Sequence, residues 1–321
     1  MMAGDLSLYR RFRRRFYWVL AVGLLQTADL VPLRCGRALC RQLARLAFRL
    51  RRRERELALA NLALAFPQMD TAARERLLQA STVALGRTLF DAVAARRILK
   101  LPGAVTEGVA SDAGEPALGD RLAELAGRGK GVLILTGHLG CWELLGGWLA
   151  RELERRGLGP LATVTGTVHN PAVDRLLQDR RRELGLIVMP RREGMRPLLR
   201  HLRDGGVGAI LLDQNLRGQG DPVPFFGVPA PTAPGLARVA LRYGTPVVPV
   251  AMAWNPVHER HEVVDLPTLD VVGLADDAEG TGTLLARANL ALEELIRRNP
   301  AEWVWFHDRW HIKDTGPATG E

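Results

Sequence analysis

From residue 131 to residue 266 the chain alternates short apolar runs with amphipathic stretches. Val132–Leu135 is continuously apolar and bounded by Gly131 and Thr136, the pattern of a strand buried on both faces. Leu161–Val168, Leu186–Met189, Val207–Leu212 and Val247–Trp254 repeat it, and Glu262–Leu266 reads as an edge strand. Helical periodicity fills the gaps at Pro171–Leu184, Met195–Arg203 and Pro234–Tyr243, with a last helix over Thr281–Arg298. Strands alternating with helices predict an α/β fold, a central and mostly parallel sheet flanked by helices.

Upstream the period changes. Arg37–Leu64 is helical throughout and stops at Pro67; Asp70 then caps a second helical pair, Thr71–Leu78 and Thr82–Arg97. A Gly- and Pro-containing stretch, Pro102–Pro116, separates this region from the strands. At the start, arginines between Arg10 and Arg15 precede the ten apolar residues Phe16–Leu25. That is short of the roughly 20 residues needed to span a bilayer. The pattern fits an anchor helix lying in or dipping through a membrane interface, with a buried core helix as the alternative. These boundaries divide the chain into an anchor (1–36), a small helical region (37–101), an α/β core (102–312) and a flexible tail (313–321).

Composition sharpens the picture in three places. The net charge is +9, and nearly all of the positive charge is arginine, since Lys100, Lys130 and Lys313 are the only lysines. Such a balance favours an anionic partner: a membrane surface, an acidic protein or nucleic acid. No helix-turn-helix or zinc spacing accompanies the charge, so nucleic acid is not the expected partner. Cys35, Cys40 and Cys141 are odd in number and have no metal-ligand spacing, which points to reduced thiols and no metal site. Ser7, Ser81 and Ser111 are the only serines and none lies in G-x-S-x-G, which argues against a serine hydrolase.

The candidate chemistry gathers at the carboxyl ends of strands, where ligands bind in open α/β sheets. His138 follows the Val132–Leu135 strand, and Glu143 stands five positions on. On one continuous helix residues five apart lie about 140° from each other, so the two meet only with His138 in a loop and Glu143 in the first helical turn. Gly137 and Gly140 allow that loop. Glu143 is then expected to accept from one ring nitrogen, leaving the other to take a proton from a hydroxyl. Cys141 opens a thiol-nucleophile alternative. Asp213-Gln214-Asn215 ends another strand, on the functional rim or in a simple turn. Pro224-Phe225-Phe226-Gly227 is an apolar loop that covers an acyl chain or caps the core. Arg180–Arg182 binds phosphate or extends a solvated face. Trp303, Trp305 and Trp310 with His307 and Arg309 suit a membrane interface, a sugar contact or the core.

His138-x4-Glu143 after a buried strand resembles the motif of the glycerolipid acyltransferase superfamily. The blocks Asn61–Pro67, Gly137–Glu143, Leu212–Asn215, Pro224–Gly227 and Trp303–Trp310 together resemble its bacterial late lipid A (lauroyl/myristoyl) acyltransferases. The resemblance implies that His138, held by Glu143, deprotonates a hydroxyl that attacks a thioester, with no covalent enzyme intermediate and no cofactor. It further implies substrate-binding roles for Asp213, Gln214 and Arg182, the last matched by its spacing to Asp213; Phe225, Phe226 and Gly227 are added as cover for the acyl chain. Asn215 stands where some members carry a second carboxylate. The implied partners are an acyl carrier protein or acyl-coenzyme A donor, a glycolipid acceptor and an anionic membrane surface at the cytoplasmic face of the bacterial inner membrane. Lipid A precursor is the first acceptor and phosphatidylinositol mannoside the alternative.

Overall fold

The computed structural model describes residues 23, 30–108, 116–166, 171–190, 195–214 and 220–311. Most of the expected anchor helix lies outside these residues. Among the described residues no helix is long and apolar enough to cross a membrane.

The chain enters through α1 (Leu33–Leu50), α2 (Arg52–Ala65) and α3 (Thr71–Val93), followed by a short α4 (Ala95–Ile98). The helical pair expected after Asp70 is thus largely one continuous helix, α3, whose first turn the Asp70 carboxylate caps at the Ala73 amide. Helices α1 and α3 pack closely through glycines. A Cβ on Gly36 would fall 2.0 Å from the Phe90 ring, and one on Gly86 would fall 2.6 Å from the Cys40 carbonyl.

The sheet has seven strands in the order β1-β9-β8-β2-β5-β3-β4. They are β1 (Val105–Glu107), β2 (Val132–Thr136), β3 (Leu161–Thr165), β4 (Leu186–Pro190), β5 (Val207–Leu211), β8 (Val247–Asn255) and β9 (Arg260–Asp265). Every pairing is parallel except β8 with β9. Two sequence expectations change here. β1 lies inside the stretch read as a separator, and it pairs with β9, so β9 is not the edge. Three residues are too few for a periodic signal, which is why β1 escapes notice.

Helices α5 (Leu118–Gly127), α6 (Trp142–Arg155), α7 (Pro171–Glu183), α8 (Arg196–Arg203), α9 (Gly235–Tyr243) and α10 (Ala278–Arg298) complete the fold. Strand β2 divides the core by alternation. Leu133 and Leu135 join the cluster that holds α9, α10 and the tryptophans, whereas Val132 and Ile134 join the cluster of α5 and α6. A hairpin of β6 (Asp221–Phe225) and β7 (Val228–Thr232) stands apart from the sheet, with Pro222 opposite Pro231 and Pro224 opposite Pro229. Prolines donate no hydrogen bond, so they fit the non-bonded pairs of an antiparallel ladder, and both edges of the hairpin are blunted against further strands.

Candidate active site

Strands β2 and β5 are parallel neighbours, Thr136 opposite Leu211, so the segments leaving their carboxyl ends emerge side by side. One carries His138 and the other Asp213. Gly137 makes the approach possible, because a Cβ there would stand 3.0 Å from the Asp213 carboxyl carbon. Gly140 has φ of +60° and packs so tightly that a Cβ would overlap the Met252 carbonyl. The loop is braced from the far end of the chain: the Gly140 amide donates to the Glu302 carbonyl at 3.0 Å and the Val304 amide to the His138 carbonyl at 3.2 Å.

His138 is held by Asp213. Its Nδ1 lies 2.9 Å from Asp213 Oδ1, and its own backbone amide donates to Oδ2 at 2.7 Å. The indole N–H of Trp303 gives Oδ2 a second donor at 2.8 Å. Burial of Asp213 (1 % exposed) pushes its carboxyl pKa up, but the adjacent imidazole and these hydrogen bonds outweigh it and hold the group well below the usual carboxylate range. A charged Asp213 requires the proton of a neutral His138 on Nδ1 and leaves Nε2 as a lone pair. Facing Nε2 at 3.0 Å is the Gln214 amide nitrogen, which also lies 3.1 Å from Nε2 of His307. Trp142 and His307 both pack edge-on to the His138 ring, at centroid distances of 4.9 and 5.5 Å. Burial holds the His307 pKa below its ordinary value; a protonated His138 would lower it further, and the Asp213 charge opposes both.

The expected His138–Glu143 hydrogen bond is replaced by a different pairing. Glu143 does occupy the first turn of α6, yet its carboxylate receives the guanidinium fork of Arg181, with Nε 2.9 Å from Oε2 and Nη2 on Oε1. Arg181, not Arg182, makes this pair; Arg182 is half exposed and paired with Asp179 at 2.7 Å. Adjacent helical residues point about 100° apart, and it is position 181 that turns inward on α7.

A cavity of about 420 Å³ opens at this point. It is lined by His138, Trp142, Glu143, Arg181 and Gln214 and by aliphatic side chains including Leu145, Leu149, Leu161 and Leu186. Phe225, Phe226 and Gly227 do not line it. Both phenylalanines are buried in an aromatic cluster with Trp303, Trp305 and Trp310, which corrects their expected place over the acyl chain and settles the tryptophans as core. A β-hairpin tip carrying two aromatics gains more by burial against tryptophans than by facing water. Cys141 is also enclosed, its thiol near the Thr88 carbonyl and its pKa pushed well up by burial, so it offers no thiolate. Asn215 lies outside the described residues.

Sequence reasoning gave Trp142 no role, and offered Arg181 only within the Arg180–Arg182 run as a phosphate binder or a solvated face. His307 and Trp303 carried only the signal of an aromatic–basic tail, and nothing local separates Arg181 from Arg180 and Arg182.

Residues 7–312 match the bacterial lipid A biosynthesis acyltransferase family. The chain belongs to that family. Among similar proteins, the lipid A biosynthesis acyltransferase of Haemophilus influenzae is 24 % identical over 301 residues, covering 90 % of this chain and 86 % of the relative. The lipid A biosynthesis myristoyltransferase of Escherichia coli is 24 % identical over 303 residues, covering 92 % and 88 %. A phosphatidylinositol mannoside acyltransferase of Mycobacterium tuberculosis is 27 % identical over 195 residues, covering 60 % and 58 %. The chain is therefore an acyltransferase. The cavity at His138 is the candidate place for its chemistry.

Proposed function

We propose that this acyltransferase moves a fatty acyl group from a thioester to a hydroxyl of a glycolipid, first of all a lipid A precursor, with His138 as general base and Asp213 as the group that orients it. One observation supports the reading: His138, held through Nδ1 by Asp213, lines a cavity that also holds aliphatic side chains, a setting that suits a hydroxyl beside an acyl chain. The hydroxyl gives its proton to Nε2 while its oxygen attacks the thioester carbonyl. The carbonyl electron pair moves onto its oxygen, then returns to expel the thiolate, which takes the proton back from His138. The products are an ester and a free thiol, and no acyl-enzyme forms. General-base assistance of this type contributes on the order of 10²–10⁴ in rate. Glu143 and Arg181 form the polar wall beside the base and shape the entry of the acceptor.

The donor is an acyl carrier protein or acyl-coenzyme A; both are anionic, and a chain of net charge +9 attracts either one. The place of work is the cytoplasmic face of the bacterial inner membrane. Leu39, Leu43, Leu46 and Leu50 recur along one face of α1, each more than half exposed, among Arg41, Arg45 and Arg49. A leucine stripe flanked by arginines fits the surface of an anionic bilayer.

The purified protein is assayed with a radiolabelled acyl thioester and lipid A precursor or phosphatidylinositol mannoside. Wild type forms a labelled lipid ester, and His138→Ala loses about 10²–10⁴ in turnover while its circular dichroism is unchanged. Near-normal turnover by that variant sinks the assignment. The acceptor that takes label fastest decides between the two glycolipids, the second being favoured only by the relatives that carry its name.

A further inference from the structure

We infer that Gln214 donates the hydrogen bond that stabilises the oxyanion of the transfer step, and that His307 is the positioning residue that keeps its amide aimed. This rests on the acyl-transfer reading above and adds two roles to it. The Gln214 side chain lies between two imidazoles, its nitrogen 3.0 Å from His138 Nε2 and 3.1 Å from His307 Nε2. The orientation of that amide follows from Asp213. Because the buried carboxylate fixes the His138 proton on Nδ1, Nε2 is an acceptor and only the NH₂ end of Gln214 satisfies it. The second amide hydrogen then points to His307, whose Nε2 is an acceptor too and whose proton sits on Nδ1. The charged and titratable groups acting on His307 are His138 and Asp213, and burial favours its neutral form.

A primary amide with both hydrogens committed to imidazole lone pairs has one more donor available at the moment of reaction than at rest. When the acceptor hydroxyl takes over His138 Nε2, one amide hydrogen is released about 3 Å from the base, beside the carbonyl under attack. The other hydrogen stays on His307. As the new C–O bond forms, the carbonyl π pair moves to oxygen and the hydroxyl proton moves to Nε2, so negative charge appears where the released N–H points. Donors already aimed at that position need no reorganisation. His307 is itself fixed from outside the site: Asn61 of α2 donates to its carbonyl at 2.6 Å and to the Trp305 carbonyl at 2.8 Å. An acceptor on a braced loop is what a positioning role needs.

Four proteins are compared with the same thioester and acceptor: wild type, Gln214→Ala, His307→Leu and His307→Gln. Gln214→Ala is expected to lose about 10²–10³ in kcat, the measured scale for one oxyanion donor, with KM little changed. His307→Leu falls in the same direction, and His307→Gln restores most of the loss, because its side-chain oxygen sits near the position of Nε2 and accepts from the Gln214 amide. Imidazole ¹⁵N spectra of the resting protein, which need no substrate, are expected to show both rings protonated on Nδ1 alone. Full kcat in Gln214→Ala, no rescue by His307→Gln, or a proton on His307 Nε2 overturns the inference. A wild-type protein that makes no ester from either thioester overturns the functional reading, and the oxyanion role with it; the spectra then still decide whether the amide bridges the two rings.

Discussion

Asp213→Asn tests the site more sharply than removal of the base, because it preserves shape and alters only hydrogen-bond polarity. Oδ2 accepts two N–H groups, the His138 amide at 2.7 Å and the Trp303 indole at 2.8 Å, whereas Oδ1 faces the single ring nitrogen Nδ1. An asparagine that put its NH₂ at the Oδ2 position would oppose two buried donors. It therefore keeps its oxygen there and turns NH₂ toward Nδ1, which forces the His138 proton onto Nε2. The base is then blocked by its own proton. The same exchange of a buried orienting carboxylate for an amide costs about 10⁴ in kcat in serine proteases, equivalent to roughly 5 kcal/mol of barrier at 1.36 kcal/mol per decade. A loss of about 10³–10⁴ in kcat is expected here, with KM little moved since Asp213 does not line the cavity. Acyl transfer gives the rates and ¹⁵N imidazole spectra give the tautomer. Stability supplies a second readout. The Asp213 pKa is depressed by folding, so its contribution is complete above the unfolded value of about 3.9 and is lost as pH falls through the folded value. Asp213→Asn should remove that part of the acid dependence. A variant within tenfold of wild type (about 1.4 kcal/mol), or one with the proton still on Nδ1, refutes the assignment.

The role of the Glu143–Arg181 pair separates from that of Asp213 by its kinetics. Glu143→Gln should cost about tenfold, chiefly in KM, far less than Asp213→Asn; and Glu143→Gln/Arg181→Gln should be little worse than either single change, since partners in one ion pair are not additive. Equal losses in Glu143→Gln and His138→Ala would return the orienting role to Glu143. On α1, Leu43→Glu/Leu46→Glu should weaken partition onto anionic vesicles by about 10- to 100-fold, on the basis of roughly 1 kcal/mol for each half-exposed leucine that no longer enters the lipid. Sedimentation with vesicles measures it, and unchanged binding would remove α1 from the membrane face.

What local pattern could reveal depended on how far apart in sequence the partners lie. His138 was legible because strand, glycines and imidazole are contiguous, and Glu143 did fall in the first helical turn as its spacing required. Its partner was not legible. Whether Glu143 or Asp213 meets the ring depends on β5 lying next to β2, a neighbourhood set by strand order across 75 residues of chain. The turn residues Asp213 and Gln214 carried equal weight as turn and as rim until that adjacency was known. Arg181 and Arg182 differ only in the rotation of α7 about its axis, which its packing fixes and its arginine run conceals. Phe225 and Phe226 were ambiguous for another reason. An apolar hairpin tip suits a ligand or a core equally, and the three tryptophans that decide it come 77 or more residues later. β1 was missed because three residues carry no period.

Under the proposed mechanism, the order of charges along the site lets two carboxylates stand near His138 without opposing its role as base. Asp213 meets Nδ1 and does not line the cavity, so under the proposed mechanism its charge would stabilise the imidazolium formed as a hydroxyl proton arrives. A second unpaired carboxylate at the cavity wall would raise the energy of the oxyanion in front of the ring. Glu143 avoids this by forming a forked pair with Arg181, so that this wall carries hydrogen-bonding groups but little net charge. His138 and Glu143 share no hydrogen bond: five positions carry the chain from the loop that holds His138 to the first helical turn, where Glu143 meets Arg181 of α7. Under the proposed mechanism, the Asp213 carboxylate on Nδ1, the Glu143–Arg181 pair and the Gln214 amide facing Nε2 would leave one direction for the proton and one for the developing charge.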